Sequence, residues 1–104
     1  MGVSYKKNLD DLRESASLKL IKYFIKNKIK FEFSDPFVKK KISTRVVNVN
    51  KKSIKLNSRN LKKFNLTILM TDHDNFNYKL IYRNSENIID CRGRYSIDHK
   101  VLRA

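Results

Sequence analysis

An α+β sandwich, with one N-terminal helix packed on a mostly antiparallel sheet of about five short strands, is the architecture that the periodicities of this 104-residue chain favour. Apolar residues recur at spacings of three and four up to about residue 28, and beyond it the spacing shortens to two. Short runs rich in Val, Ile and Thr then alternate with turn signals such as Asp35-Pro36.

The helix is expected over about 8–28. Asn8 can cap it, Asp10 and Asp11 suit the positive end of its dipole, and Leu9, Leu12, Ala16, Leu20 and Phe24 form a core-facing stripe. Leu18, Ile21 and Ile25 form a second apolar arc, leaving Lys19, Lys22 and Lys26 on an outward third. Ser15 and Ser17 allow an alternative of two shorter helices. A first strand is expected over 30–33, where Lys and Glu alternate with Phe31 and Phe33. Strands over 43–49 and 53–57 would pair as a hairpin around Asn50, Lys51 and Lys52. Ser58 can cap a helical turn carrying Leu61 and Phe64. Strands over 65–71 and 77–83, joined by Asp72, His73, Asp74 and Asn75, form the strongest expected pair, with Tyr78, Leu80 and Tyr82 on one face. A last strand spans 88–91, Gly93 ends it, and a tail over 94–104 has Tyr95, Ile97, Val101 and Leu102 as anchors. A chain of this size is expected to form a single domain around one core.

Lys and Arg number 24 against 10 Asp and Glu, a formal charge of +14. The excess is local: residues 1–14 are neutral, residues 72–104 carry +1, and residues 15–71 carry +13 with Glu32 and Asp35 their only acids. So one-signed a stretch repels itself unless something anionic lies against it. The expected binding set is Lys19, Lys22, Lys26, Lys39, Lys40, Lys41, Arg45, Lys51, Lys52, Lys55, Arg59, Lys62 and Lys63. These amines would neutralise phosphates, and the dominance of Lys over Arg points to backbone and shape recognition rather than base reading. Phe31, Phe33, Phe37, Phe64, Tyr78 and Tyr82 are available for stacking on unpaired bases. The leading expectation is an RNA-binding protein, an rRNA-binding structural component of a ribosome or similar ribonucleoprotein particle, with neighbouring ribosomal proteins as further partners and no catalytic step.

From Tyr78 and Tyr82 through Arg92, Arg94, Tyr95 and His99 the chain resembles the ribosome-dependent toxin nucleases. That resemblance implies a small endoribonuclease using His99, Arg92, Arg94 and Tyr95. A phage- or plasmid-encoded nucleic-acid-binding regulator is a third reading. No cofactor is expected. One Cys and two distant His lack metal-ligand spacing, and with Gly2 and Gly93 the only glycines a phosphate-cradling loop is missing, which disfavours nucleotide binding and a small-molecule substrate. No apolar run approaches the length of a membrane span, no secretory leader is read at the start, and membrane binding is disfavoured because the apolar arcs of the first helix are needed for the core. The lone Cys91 fits a reducing compartment, so a cytoplasmic, ribosome-associated location is expected.

Overall fold

The computed structural model describes residues 1–3, 15–38, 42–44 and 47–104. The elements in order are α1 (Ala16–Lys26), β1 (Ile42–Ser43), β2 (Asn48–Val49), α2 (Ser58–Leu61), β3 (Thr67–Leu69), α3 (Tyr78–Asn84), β4 (Ile88–Asp90) and β5 (Val101–Arg103).

The molecule is α+β, but its sheets differ from the expected one. β1 and β2 form a two-stranded antiparallel pair, while β3, β4 and β5 form a parallel sheet in that order, with Thr67 opposite Ile88 and Ile88 opposite Val101. The mostly antiparallel five-stranded sheet is therefore corrected. The deciding segment is 77–83, expected as a strand and found as α3. Asn77 caps it by accepting from Leu80 N at 3.1 Å, and Ile81 is fully buried three positions after Tyr78. Tyr78, Leu80 and Tyr82 satisfy a period of two, but Tyr78, Ile81 and Tyr82 equally satisfy a helical period, as short apolar runs do. With a helix between them, β3 and β4 run in the same direction.

Other expectations shift too. In place of one strand over 43–49, β1 pairs antiparallel with β2, Thr44 N donating to Val47 O at 3.1 Å, and 53–57 forms no strand. Asn57, not Ser58, caps α2, accepting from Asn60 N at 2.8 Å. The tail supplies β5. The expected helix over 8–28 falls partly outside the described residues; its described part is α1. That helix ends with Lys28 N donating to Ile25 O and Ile29 N to Phe24 O, the two bonds of a Schellman cap, which places Lys28 in the left-handed region at φ 55°.

Two extended segments continue the hydrogen bonding beyond β3. Met1 donates to Ile68 O at 2.7 Å and accepts from Met70 N at 2.9 Å, and Gly2 N donates to Ser34 O at 2.9 Å. Phe33 O in turn accepts from Ile54 N at 2.9 Å. Across the molecule the order is therefore Ile54, then 33–35, then 1–3, then β3, β4 and β5. Numbered along the chain, that order is 3-2-1-4-5-6, with the first segment at the centre. The first extended segment thus precedes α1, so the helix is not simply N-terminal.

Two apolar clusters replace the single expected core. Val3, Leu18, Ile21, Phe33, Val38, Ile42 and Val49 make one. Leu61, Leu69, Phe76, Ile81, Ile88 and Val101 make the other, with Met1 packed against it. Met1 and Val3 thus belong to opposite clusters, and Gly2 crosses between them.

Candidate functional site

Segments 1–3, 33–35 and β3 reach the same edge of the molecule, and the carboxylate of Asp35 fastens their ends together. Its Oδ2 accepts from Val3 N at 2.8 Å and lies 2.9 Å from His73 Nε2; its Oδ1 accepts from Phe37 N at 2.8 Å and Val38 N at 3.2 Å. Asp35 and His73 are 1% and 0% exposed. The imidazole lies 4.9 Å from the Phe37 ring and 5.6 Å from that of Phe76. Burying a carboxylate is costly unless its oxygens are saturated, and here they are. The pair is sealed from solvent, so it sets the shape of the edge and does not itself reach a ligand.

Asp90 does the same at the end of β4. Its Oδ1 accepts from Arg92 N and Gly93 N, each at 2.9 Å, and its Oδ2 from Tyr95 N at 2.7 Å. This carboxylate curls residues 91–95 over the edge and brings two guanidinium groups to its rim. Arg92 Nε donates to Met70 O at 2.8 Å, and Arg94 lies 3.8 Å from Asp72, 3.9 Å from Asp74 and 4.2 Å above the Tyr78 ring. Both arginines are exposed, and each guanidinium carries five donors, so they offer forked contacts to an anion.

Beneath them a tyrosine relay braces the edge. Tyr95 OH donates to Tyr78 O at 2.8 Å, and Tyr78 OH donates to His73 O at 2.6 Å. Burial pushes the Tyr78 phenol up to about 12 and raises that of Tyr95 further, so both stay neutral donors at any physiological pH. Burial also raises the Cys91 thiol. Tyr82 hydrogen-bonds Asp98, which raises the phenol and lowers the carboxylate. Beside the Asp35 corner an open cleft is lined by Ser34, Pro36, Ser53, Lys55, Asn75, Phe76 and Asn77.

The described members of the expected basic set do not take part in the contacts of this edge. Lys19, Lys22 and Lys26 stand exposed on α1, and Lys52, Arg59, Lys62 and Lys63 are exposed elsewhere. Of the described members of the set, Lys55 alone borders the cleft. Lys51 is occupied with Phe31 O at 2.7 Å, with Glu32 at 3.6 Å and with the Phe31 ring at 4.8 Å. Lys39, Lys40, Lys41 and Arg45 lie outside the described residues. Of the nuclease set, Arg92 and Arg94 reach the rim, Tyr95 is a structural brace, and His99 is an exposed loop residue. Asp35 was read only as part of a turn and His73 only as part of a loop between strands, so their buried pairing, like the role of Asp90, was not foreseen. The parallel sheet left a signal in one strand: Thr67–Met70 runs on without alternating polar and apolar residues, the mark of a strand buried in a parallel sheet.

The model of the UDP-glucose/GDP-mannose dehydrogenase family, UDP binding domain, matches residues 1–97. No curated protein and no solved structure matches the chain. This match overturns the functional expectations drawn from charge. A ribosomal or other RNA-binding role, a toxin-like nuclease and a nucleic-acid-binding regulator are all set aside, and the expected partner changes from RNA to a nucleotide sugar. The expectation of a protein unrelated to catalysis is corrected as well, since the family is one of dehydrogenases. The physical reason is that net charge reports on surface and solubility, not on which fold carries it. With nearly all of its length matched, the chain belongs to the UDP-glucose/GDP-mannose dehydrogenase family, through the UDP binding domain of that family.

Proposed function

We propose that this chain is the nucleotide-sugar-binding part of a dehydrogenase and holds the diphosphate of a UDP-linked sugar at the edge organised by Asp35 and Asp90. The family match over residues 1–97 is the observation that carries this reading. The topology supports the location. In open sheets of order 3-2-1-4-5-6, ligands bind outside the carboxyl ends of the strands where the order reverses, which here lies between segment 1–3 and β3. Thr71 to Asp74 and Cys91 to Arg94 border that place.

Arg92 and Arg94 are assigned to the diphosphate. Their approach relies on Asp90 and on the tyrosine relay, so the site is shaped by buried groups and filled by exposed ones. A dinucleotide fingerprint needs three closely spaced glycines, and Gly2 and Gly93 cannot make one. A nicotinamide cofactor therefore does not fit these residues, and no hydride-transfer step is assigned to them.

Calorimetric titration of the chain with UDP, with ADP as comparison, tests the reading. UDP is expected to bind more tightly than ADP, and Arg92→Ala or Arg94→Ala to weaken it by about 10- to 100-fold, the loss of one charge-assisted contact. Equal binding of the two nucleotides, or no binding at all, would overturn it.

A further inference from the structure

The sequence reading set aside a membrane role because the apolar arcs of the first helix were assigned to the core. The structure removes that objection. Leu18 and Ile21 are buried, but Tyr23, Ile25 and Ile29 are 56%, 47% and 43% exposed. They stand among five lysines between residues 19 and 30, a stretch with no acid.

Around α1 the lysines lie beside these side chains. At about 100° per residue, Lys22 and Lys26 lie within about 40° of each other, with Tyr23 about 100° from Lys22 on one side; on the other side Ile25 lies about 60° away, on the arc of the buried Leu18 and Ile21 but one turn beyond Ile21, where it is exposed. The Schellman cap then turns Ile29 out beside the helix end. It also seats Lys28 in the left-handed region, where glycine would be unstrained, so a lysine is held there against its conformational preference.

We infer that this face of α1 binds the surface of an anionic lipid bilayer. The lysines match anionic headgroups in sign, and as flexible point charges they suit headgroups that move laterally to meet them. The exposed apolar groups flank the charges on both sides, so they reach the acyl boundary while the amines stay at headgroup level. Tyr23 has the amphipathic ring favoured at such a boundary. A helix face is convex, and the cleft beside Asp35 is lined by other segments, so the face suits a broad plane better than an extended acidic peptide. This inference stands apart from nucleotide binding, because none of these residues borders the Asp35 edge.

Co-sedimentation with vesicles of phosphatidylglycerol and phosphatidylcholine, against vesicles of phosphatidylcholine alone, tests it. Binding is expected to the anionic vesicles only and to fall as salt rises. Each lysine near the surface contributes about fivefold, so Lys22→Ala with Lys26→Ala should lower partitioning about 25-fold. Ile25→Ser with Ile29→Ser should lower it further while circular dichroism and UDP titration stay unchanged. Failure to bind anionic vesicles overturns the inference. So does binding that the isoleucine variant leaves intact, or equally tight binding to polyglutamate, because either would mark a generic polyanion or acidic-protein contact.

Discussion

Gly2 takes φ +75°, and a Cβ built there would lie 2.3 Å from Thr71 O, 2.7 Å from Thr71 Cβ and 2.8 Å from Thr71 N. Two of those three atoms are backbone, so no side chain can swing aside to make room. Gly2 is also tied on its other flank, donating to Ser34 O and accepting from Ser17 Oγ, each at 2.9 Å. In Gly2→Ala the left-handed conformation costs about 1–2 kcal/mol and the forced separation of hydrogen-bonded segments about 1–3 kcal/mol more. The expected loss of about 2–5 kcal/mol is a large share of the ~5–15 kcal/mol typical of a domain. Gly93 supplies the control. It has nearly the same φ, +73°, but its Cβ would meet only the Arg103 guanidinium, at 3.6 to 3.8 Å. Gly93→Ala should therefore cost only the conformational part, about 1–2 kcal/mol. Urea unfolding followed by circular dichroism measures both at unchanged slope. Equal losses in the two variants would refute the claim that segment 1–3 is wedged against Thr71.

Three further outcomes are expected. Asp35→Asn turns an N–H toward either Val3 N and His73 or Phe37 N and Val38 N, and should cost about 3 kcal/mol in the same urea assay, with little change in the slope. Lys28→Gly relieves the left-handed strain and should raise stability by about 1 kcal/mol, read as a higher urea midpoint. Tyr78 ionises near 10 when unfolded and only at about 12 when folded, so between those values the unfolded chain has released a proton that the folded chain keeps. Stability should accordingly fall as pH rises from about 10 to about 12 and be unaffected by this group below that window; Tyr78→Phe should flatten the fall, and the tyrosinate absorbance of the folded protein should show Tyr78, Tyr82 and Tyr95 titrating late.

Much of the local structure was legible. The helical spacing marks α1, although its buried side is the second arc, Leu18 and Ile21, and not the stripe of Ala16, Leu20 and Phe24; the turn at Asp35-Pro36 is real, and the runs ending at Leu69 and Asp90 are strands. What failed were statements about direction and partnership. Tyr78 to Arg83 fits both periods over so short a span, and the choice was made by the Asn77 cap and by Ile81 filling the second cluster. Counting lysines along the chain does not show which are engaged within the fold: Lys51 is held by Phe31 O and lies beside Glu32. The lack of a glycine-rich loop argued against nucleotide binding, yet two buried carboxylates shape the edge without one.

By itself the sequence determined the charge and those local elements whose pattern fits one period alone, α1 and the strands ending at Leu69 and Asp90, because apolar spacing and turn residues act over a few positions. Only the tertiary structure decided that the strands are parallel, that the first three residues lie at the centre of the sheet order, and that Asp35 meets Val3, 32 positions away, and His73, 38 positions away. Such contacts depend on satisfying a buried carboxylate from several directions at once, a constraint that no stretch of neighbouring residues encodes.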